Sequence, residues 1–304
     1  MSGILQMMVG ATFAPAISDR GVFGGGNTGS VSNVIDYITV STTGNATNFG
    51  NLTVARSSLA CVSNATRGVF GGGYASTYSA VMDYITIATT GNATNFGNLT
   101  VARSDFAGVS NATRGVFGGG TTGASSAVMD YITVATAGNA TNFGNLTVAR
   151  YYLAGVSNAT RGVFGGGFTG AAYSATMDYI TVATTGNASN FGSLTLARYS
   201  LAGVSNATLG VFGGGATATN TTTMDYITIA TTGNATSFGN LTVARRHLAG
   251  VSNATRGVFG GGYATGYSVV MDYITVATTG NATNFGNLTV ARDTLAGVSG
   301  TIPT

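Results

Sequence analysis

The sequence predicts an all-β fold, specifically a six-bladed β-propeller, from its composition, a tandem repeat and the phase of that repeat. Only 7% of the 304 residues are charged, and all 12 cationic residues are Arg and all 9 anionic residues Asp. Exposed helix faces normally use Lys and Glu, so their absence argues against helices. A hydrophobic content of 44% argues against disorder, and 48 Gly indicate many turns.

A repeated motif divides most of the chain into six units. Arg-Gly-Val-Phe-Gly-Gly-Gly, with Leu replacing Arg in the fifth copy, begins at residues 20, 67, 114, 161, 209 and 256. The spacing is 47 residues, except for one of 48 caused by an extra residue between Gly167 and Asp178. Such a period is typical of four-stranded propeller blades. The sequence predicts one propeller domain over residues 20–304, preceded by an attachment segment over residues 1–19.

Each unit predicts four short strands, which we call A, B, C and D. Around the third motif these are residues 106–110 (A), 114–117 (B), 129–134 (C) and 145–150 (D). Strands C and D alternate in polarity and contain many β-branched residues, as half-buried strands do. The Ser-Asn-Ala-Thr segment predicts the A–B turn, and a Gly/Asn-rich segment joins C to D.

The charges inside each unit predict ion pairs within the C/D hairpin. Asp83 and Arg103 are equidistant from Ala93, and cross-strand partners share a sheet face. The expected structural pairs are Asp36/Arg56, Asp83/Arg103, Asp130/Arg150, Asp178/Arg198, Asp225/Arg245 and Asp272/Arg292.

The phase of the repeat predicts how the ring closes. The first unit opens with B, C and D, and the chain finishes with an A sequence at residues 295–299. That last A strand should complete the first blade and remove an open sheet edge.

The unit also resembles a kelch repeat. The similarity lies in the apolar strand ending in glycines (Val69 to Gly73), the following Tyr84, and an aromatic residue, Phe96, before strand D, where kelch repeats usually have Trp. The amino-acid sequence of the repeat is also similar to repetitive structural proteins of marine tailed bacteriophages. That resemblance implies a virion protein, with the tail as its expected location.

The copies differ mainly in two windows, which predict a binding face. One is the residue pair after each D-strand Arg, and the other is the B–C loop; because strands alternate in direction, both should emerge on one face. Eight of the 14 Tyr fall in these windows among Ser, Thr, Gly and Ala, a composition that antibody paratopes use. The alternative is drift in exposed loops. The expected ligand-binding residues, for a host glycan or protein, are Tyr74, Tyr78, Asp105, Tyr151, Tyr152, Phe168, Tyr173, Tyr199, Arg246, His247, Tyr263, Tyr267 and Asp293.

The sequence contains few residues suited to catalysis. His247 is the single His, Glu is absent, and the triple glycines are not followed by the Lys-Ser/Thr of a phosphate-binding loop. We therefore expect no catalytic residues, no metal and no cofactor. The lack of Lys and of a basic run argues against nucleic-acid binding, and no apolar stretch reaches the ~20 residues of a spanning helix. Cys61 replaces a Gly of strand A and is expected to line the axial channel as an inert thiol.

These observations favour a non-enzymatic, tail-associated adhesin that presents its variable loops to a host receptor. Residues 1–19 would dock it on another virion protein through the apolar residues Ile4, Leu5, Met7, Met8 and Val9. The alternative is a purely structural virion ornament or connector. A hydrolase that uses Asp and Tyr is a third, less favoured hypothesis.

Overall fold

The predicted fold is confirmed by a computed structural model, which describes residues 18–300. Six four-stranded antiparallel sheets form the blades of a β-propeller. Across residues 18–300 there is no helix long and apolar enough to cross a membrane. The docking residues predicted between Ile4 and Val9 lie outside the described residues.

The strands follow the repeat closely. Blade 1 contains β1 (Arg20–Gly24), β2 (Val34–Thr39) and β3 (Thr47–Asn51), and blade 2 contains β4 (Ala60–Ser63), β5 (Arg67–Gly71), β6 (Val81–Thr86) and β7 (Thr94–Asn98). Blade 3 contains β8 (Ala107–Ser110), β9 (Arg114–Gly118), β10 (Val128–Thr133) and β11 (Thr141–Asn145). Blade 4 contains β12 (Ala154–Ser157), β13 (Arg161–Gly165), β14 (Thr176–Thr181) and β15 (Ser189–Ser193). Blade 5 contains β16 (Ala202–Ser205), β17 (Leu209–Gly213), β18 (Thr223–Thr228) and β19 (Thr236–Asn240). Blade 6 contains β20 (Ala249–Ser252), β21 (Arg256–Gly260), β22 (Val270–Thr275) and β23 (Thr283–Asn287), and β24 (Ala296–Ser299) returns to blade 1.

Strand β24 closes the ring, as predicted. It pairs antiparallel with β1, in register from Gly21 with Ser299 to Gly24 with Ala296. The N-terminal and C-terminal parts of the chain thus share one sheet, so opening the propeller requires a complete inner strand to leave blade 1.

The position predicted for strand D is wrong. In blade 3 the outer strand is β11, which ends at Asn145, where the predicted strand began. A register shift between Met129 and Asp130 makes a bulge that turns Phe143 into the core, and Gly144 there adopts φ 147°. After Asn145 the chain leaves the sheet and crosses toward blade 4, so Arg150 is not opposite Asp130.

The predicted pairing within hairpins is therefore also wrong, because each Arg pairs with the Asp of the next blade. Arg103 of the blade 2–3 connection lies 2.6 Å from Asp130 of blade 3, and both side chains are fully buried. Arg103 also donates to the Phe117 carbonyl at 3.3 Å, and Thr100 donates to Asp130. The observed pairs are Arg56/Asp83, Arg103/Asp130, Arg150/Asp178, Arg198/Asp225, Arg245/Asp272 and Arg292/Asp36.

Apolar packing joins the same consecutive blades that the ion pairs join. The first residue of each triple glycine lies against the Phe ring of the following blade, for example Gly118 against Phe164. A Cβ on Gly118 would lie 2.9 Å from that ring, so a side chain there would push the blades apart. The next two residues, Gly119 and Gly120, adopt φ 75° and 103°, a region that favours glycine.

The outer edges of the blades are covered by their neighbours. In blade 2, the Phe96 and Asn98 carbonyls of β7 accept hydrogen bonds at 2.7 and 2.8 Å from Gly138 and Ala140 of the blade 3 hairpin loop. Because the edge carbonyls are occupied, the outer strand is a poor template for pairing with another chain.

Candidate ligand-binding face

The two variable windows lie on one face and share a backbone frame that is the same in every blade. In blade 4, Tyr151 and Phe168 exchange backbone hydrogen bonds of 3.0 and 2.8 Å, and Phe168 forms a second bridge with Tyr173. The corresponding frame residues are Asp293, Asn27 and Val31 in blade 1; Ser57, Tyr74 and Tyr78 in blade 2; Ser104, Thr121 and Ser125 in blade 3; Tyr199, Ala216 and Asn220 in blade 5; and Arg246, Tyr263 and Tyr267 in blade 6. Because main-chain atoms make these contacts, the side chains can vary without changing the frame. We call the surface they form the variable face.

A second backbone feature surrounds the propeller axis. The second residue of each variable pair has a positive φ between 51° and 59°, although none is Gly. Each N–H donates to the carbonyl of the corresponding residue in the preceding blade at 2.7 to 2.9 Å, which closes a circle of six hydrogen bonds. These residues form the axial ring: Ser58, Asp105, Tyr152, Ser200, His247 and Thr294.

Aromatic side chains are concentrated on blades 4 and 5. Tyr173 and Tyr199 are stacked at 14°, with ring centroids 5.2 Å apart. Phe168 lies 5.7 Å from Tyr173, and Tyr151 lies 5.6 Å from Phe168 and 4.9 Å from Tyr152. Tyr152 lies 5.7 Å from Tyr199, so the five rings form a closed cycle of contacts. We call Tyr151, Tyr152, Phe168, Tyr173 and Tyr199 the aromatic patch.

The other Tyr residues of the variable face form two edge-to-face pairs, whose rings contact no ring of the aromatic patch. Tyr74 and Tyr78 of blade 2, and Tyr263 and Tyr267 of blade 6, each meet edge to face at 5.6 and 5.7 Å. Arg246 lies over the ring of Tyr263 at 5.2 Å.

Polar groups at the axial ring have internal partners or are covered. His247 Nδ1 lies 3.3 Å from Asp293, while its ring lies 5.2 Å from that of Tyr152. Ser200 stands between Tyr152 and His247 in the ring, and its buried hydroxyl has no hydrogen-bond partner. His247 Nε2 is unpartnered as well, so these residues do not form a Ser-His-Asp relay.

Burial raises the pKa of three acidic groups on the variable face, Asp105, Tyr151 and Tyr152. Burial raises the pKa of Asp105, against the opposing effect of hydrogen bonds from Ser104 and Ser58 and of the nearby His247. Burial and the charge of Asp105 raise the pKa of Tyr151 and Tyr152, so both phenols remain hydrogen-bond donors in mildly alkaline solution.

Every predicted ligand-binding residue lies in the frame or the axial ring, but only some come together. Asp105, Tyr152, His247 and Asp293 cluster at the axis. The rings of Tyr74 and Tyr78 contact each other and no ring of the aromatic patch, although Tyr78 lies close enough to help raise the pKa of Tyr151. Ser200 and Asn220 were not among the residues predicted from the sequence. Asn220 accepts a hydrogen bond from Arg246 at 3.1 Å and donates one to the Tyr263 carbonyl at 3.0 Å. Its position in a variable B–C loop is the sequence feature that could have identified it.

The opposite face, which we call the constant face, is built from the A–B turns and C–D loops. In each turn an Asn side chain accepts backbone hydrogen bonds, as Asn111 does from Thr113 and Arg114 at 3.0 and 2.8 Å. Asp19 is held there by Asn253 at 2.7 Å and by the Ser41 N–H at 3.0 Å. The chain therefore enters the propeller on the side away from the variable face.

The axial channel is a cavity of about 180 Å³ lined by the inner strands. Cys61 lines it and donates to the Gly297 carbonyl at 2.6 Å, and burial raises the pKa of the thiol to about 12. A thiol with so high a pKa is inert at neutral pH.

All 12 Arg side chains, which lie in the described part of the chain, have internal partners. Six form the buried pairs between blades. Another five, at the start of each B strand except that of blade 5, stack on the Tyr of the same blade: Arg20, Arg67, Arg114, Arg161 and Arg256. The last, Arg246, contacts Tyr263 and Asn220.

Comparison with known proteins assigns no relative, since no family model and no curated protein matches the chain. Among residues 18–300, no three His, Cys, Asp or Glu side chains meet in a group that could hold a metal ion.

Proposed function

We propose that this chain is a non-enzymatic binding module whose variable face binds a glycan or protein on the surface of a host cell. One observation carries the proposal: the same two backbone bridges recur in all six blades, while the side chains on them differ. A surface of this kind can change its specificity without loss of the fold, which is how antibody loops are used.

Drift of exposed loops explains the concentration of aromatic residues less well. Tyr and Phe are costly to expose, and Tyr173 is 43% and Tyr74 42% exposed in a protein with only 7% charged residues. Large exposed aromatic surfaces mark interaction sites.

The setting we propose is a phage virion, in which the propeller is a kelch-like tail protein. The support is the resemblance of the repeat to structural proteins of marine tailed phages. Residues 1–19 would dock the module on another virion protein. Asp19 lies on the constant face, so a segment attached there leaves the variable face free.

The test is adsorption of the fluorescently labelled full chain to a panel of marine bacteria and to a glycan array. Replacing Tyr151, Tyr152 and Tyr199 with Ala should abolish binding. The control is Arg67→Leu on the constant face, a change that the fifth unit already carries as Leu209. Equal loss in both variants would contradict the proposal. No adsorption at all, with co-purification through residues 1–19, would support a purely structural subunit.

A further inference from the structure

We infer that the variable face has one principal site rather than six, that this site is the aromatic patch of blades 4 and 5, and that its ligand is an uncharged saccharide. The inference rests on the proposed function and specifies its place and its ligand class.

The first support is that two independent irregularities of the repeat coincide. Blade 4 has an aromatic residue at all three frame positions, Tyr151, Phe168 and Tyr173, and at its axial position, Tyr152. Blade 4 also contains the single extra residue of the repeat, inside the same B–C loop. Its bridge joins Phe168 to Tyr173, whereas blade 2 joins Tyr74 to Tyr78 across one residue fewer.

The longer loop has an ordered structure. Thr169 Oγ1 accepts hydrogen bonds from the N–H groups of Ala171 and Ala172 at 3.4 and 3.1 Å, and the Thr169 N–H donates to the Ala172 carbonyl at 3.0 Å. The loop thereby holds Tyr173 against Tyr199 of blade 5, with the rings nearly parallel. A flat, partly exposed ring surface is fixed before any ligand binds, which lowers the entropic cost of binding.

The chemistry of the patch suits a sugar ring. Aromatic faces pack against the apolar C–H faces of a ligand, and phenols act as both donors and acceptors toward hydroxyl groups. Four of the five patch residues are Tyr, so the patch offers four phenol hydroxyl groups to a ligand.

Charge argues against an anionic ligand. Arg246 is the one Arg on the variable face; its guanidinium stacks on Tyr263 and donates one hydrogen bond to Asn220. The same face carries the carboxyl groups of Asp105 and Asp293 near the axis. A sialic acid, sulfate or phosphate at the aromatic patch would meet a single guanidinium, already stacked on Tyr263 of blade 6, rather than a cluster of Arg side chains. Recognition of such anions normally depends on Arg.

The experiment uses the full chain on an array that holds neutral oligosaccharides together with sialylated and sulfated versions of the same structures. The blade 4 variant carries Tyr151→Ser, Phe168→Thr and Tyr173→Ser, the residues that blade 3 has at the same frame positions. We expect binding to neutral glycans only, and a loss of at least about tenfold in affinity in the blade 4 variant. A blade 2 variant, Tyr74→Thr with Tyr78→Ser, should lose less. Arg67→Leu on the constant face should bind like the unmodified chain, and matched thermal unfolding confirms that each variant folds.

The other possible results each contradict the inference, the proposed function or both. Equal binding of the blade 4 variant, tighter binding of the sialylated or sulfated glycans, or no binding to any neutral glycan would overturn the inference. Cell adsorption that depends on the variable face but not on blade 4, or that is destroyed by protease treatment of the cells, would overturn it while the proposed function stands. Adsorption unaffected by any variable-face variant would overturn both.

Discussion

The buried pair of Arg103 and Asp130 offers the sharpest test of how the blades are joined. Replacing Arg103 with Met leaves the Asp130 carboxylate fully buried, with Thr100 as its remaining hydrogen-bond donor. Removing one partner of a buried ion pair costs about 3–5 kcal/mol. The Phe117 carbonyl also loses its bond from Arg103, which places the expected loss in the upper part of that range. For a chain of this size the melting temperature should fall by about 6–10 °C.

The double variant Arg103→Met with Asp130→Leu removes both charges and should recover at least about 2 kcal/mol of that loss, because no uncompensated charge remains. Denaturant titrations followed by circular dichroism give the free energy of unfolding for each variant. A control cycle combines Arg103→Met with Asp83→Leu, because hairpin symmetry predicted Asp83 as the partner of Arg103. In this cycle the two changes in the free energy of unfolding should add within about 0.5 kcal/mol. Coupling of Arg103 to Asp83 rather than to Asp130 would refute pairing between blades.

Three further changes have definite expected outcomes. Deleting residues 294–304 removes β24 with the buried Leu295 and Val298, so size-exclusion chromatography should show unfolded or oligomeric protein; a stable monomer would count against closure by this strand. Leu209→Arg should place a guanidinium over Tyr226, as in the other blades, and add about 0.5–1 kcal/mol to the free energy of unfolding, whereas no gain would mean that these stacks are energetically neutral. Because burial raises the pKa of Cys61 from 9.0 to about 12, its contribution to stability is complete below pH 9 and is lost as the pH rises toward 12, since the unfolded thiol ionises first. Between pH 8 and 10 the free energy of unfolding should fall more steeply in the unmodified chain than in the Cys61→Gly variant, which has the residue of the other five units. Equal slopes would contradict this.

The repeat allowed the ring to be predicted because its period sets the blade size and its phase shows which strand is missing from the first blade. The same repetition hid the partners of the Arg residues. Arg103 is followed by Asp130 and preceded by Asp83, and near-identical units offer both at similar separations, so only the packing distinguishes them. The symmetric hairpin was misleading because its true centre lies earlier in the chain: Asp83 is opposite Asn95, and the outer strand ends at Asn98, before Arg103 is reached.

The variable windows were visible as differences between copies, but their arrangement was not. Positive φ at the axial ring cannot be read from residues such as Tyr152 or Thr294, because the hydrogen-bonded circle rather than the residue type imposes it. The aromatic patch joins residues as far apart as Tyr152 and Tyr199, whose rings come within 5.7 Å only because blades 4 and 5 pack side by side.

The most direct measurement for the central claim is hydroxyl-radical footprinting of the full chain, alone and with the array glycan that binds it most tightly. Tyr173 and Tyr199 should be protected in the complex, while Tyr84 under Arg67 on the constant face should react equally in both states. Protection of Tyr84 with no change at Tyr173 and Tyr199 would place the ligand on the constant face and contradict the assignment of the variable face as the binding surface.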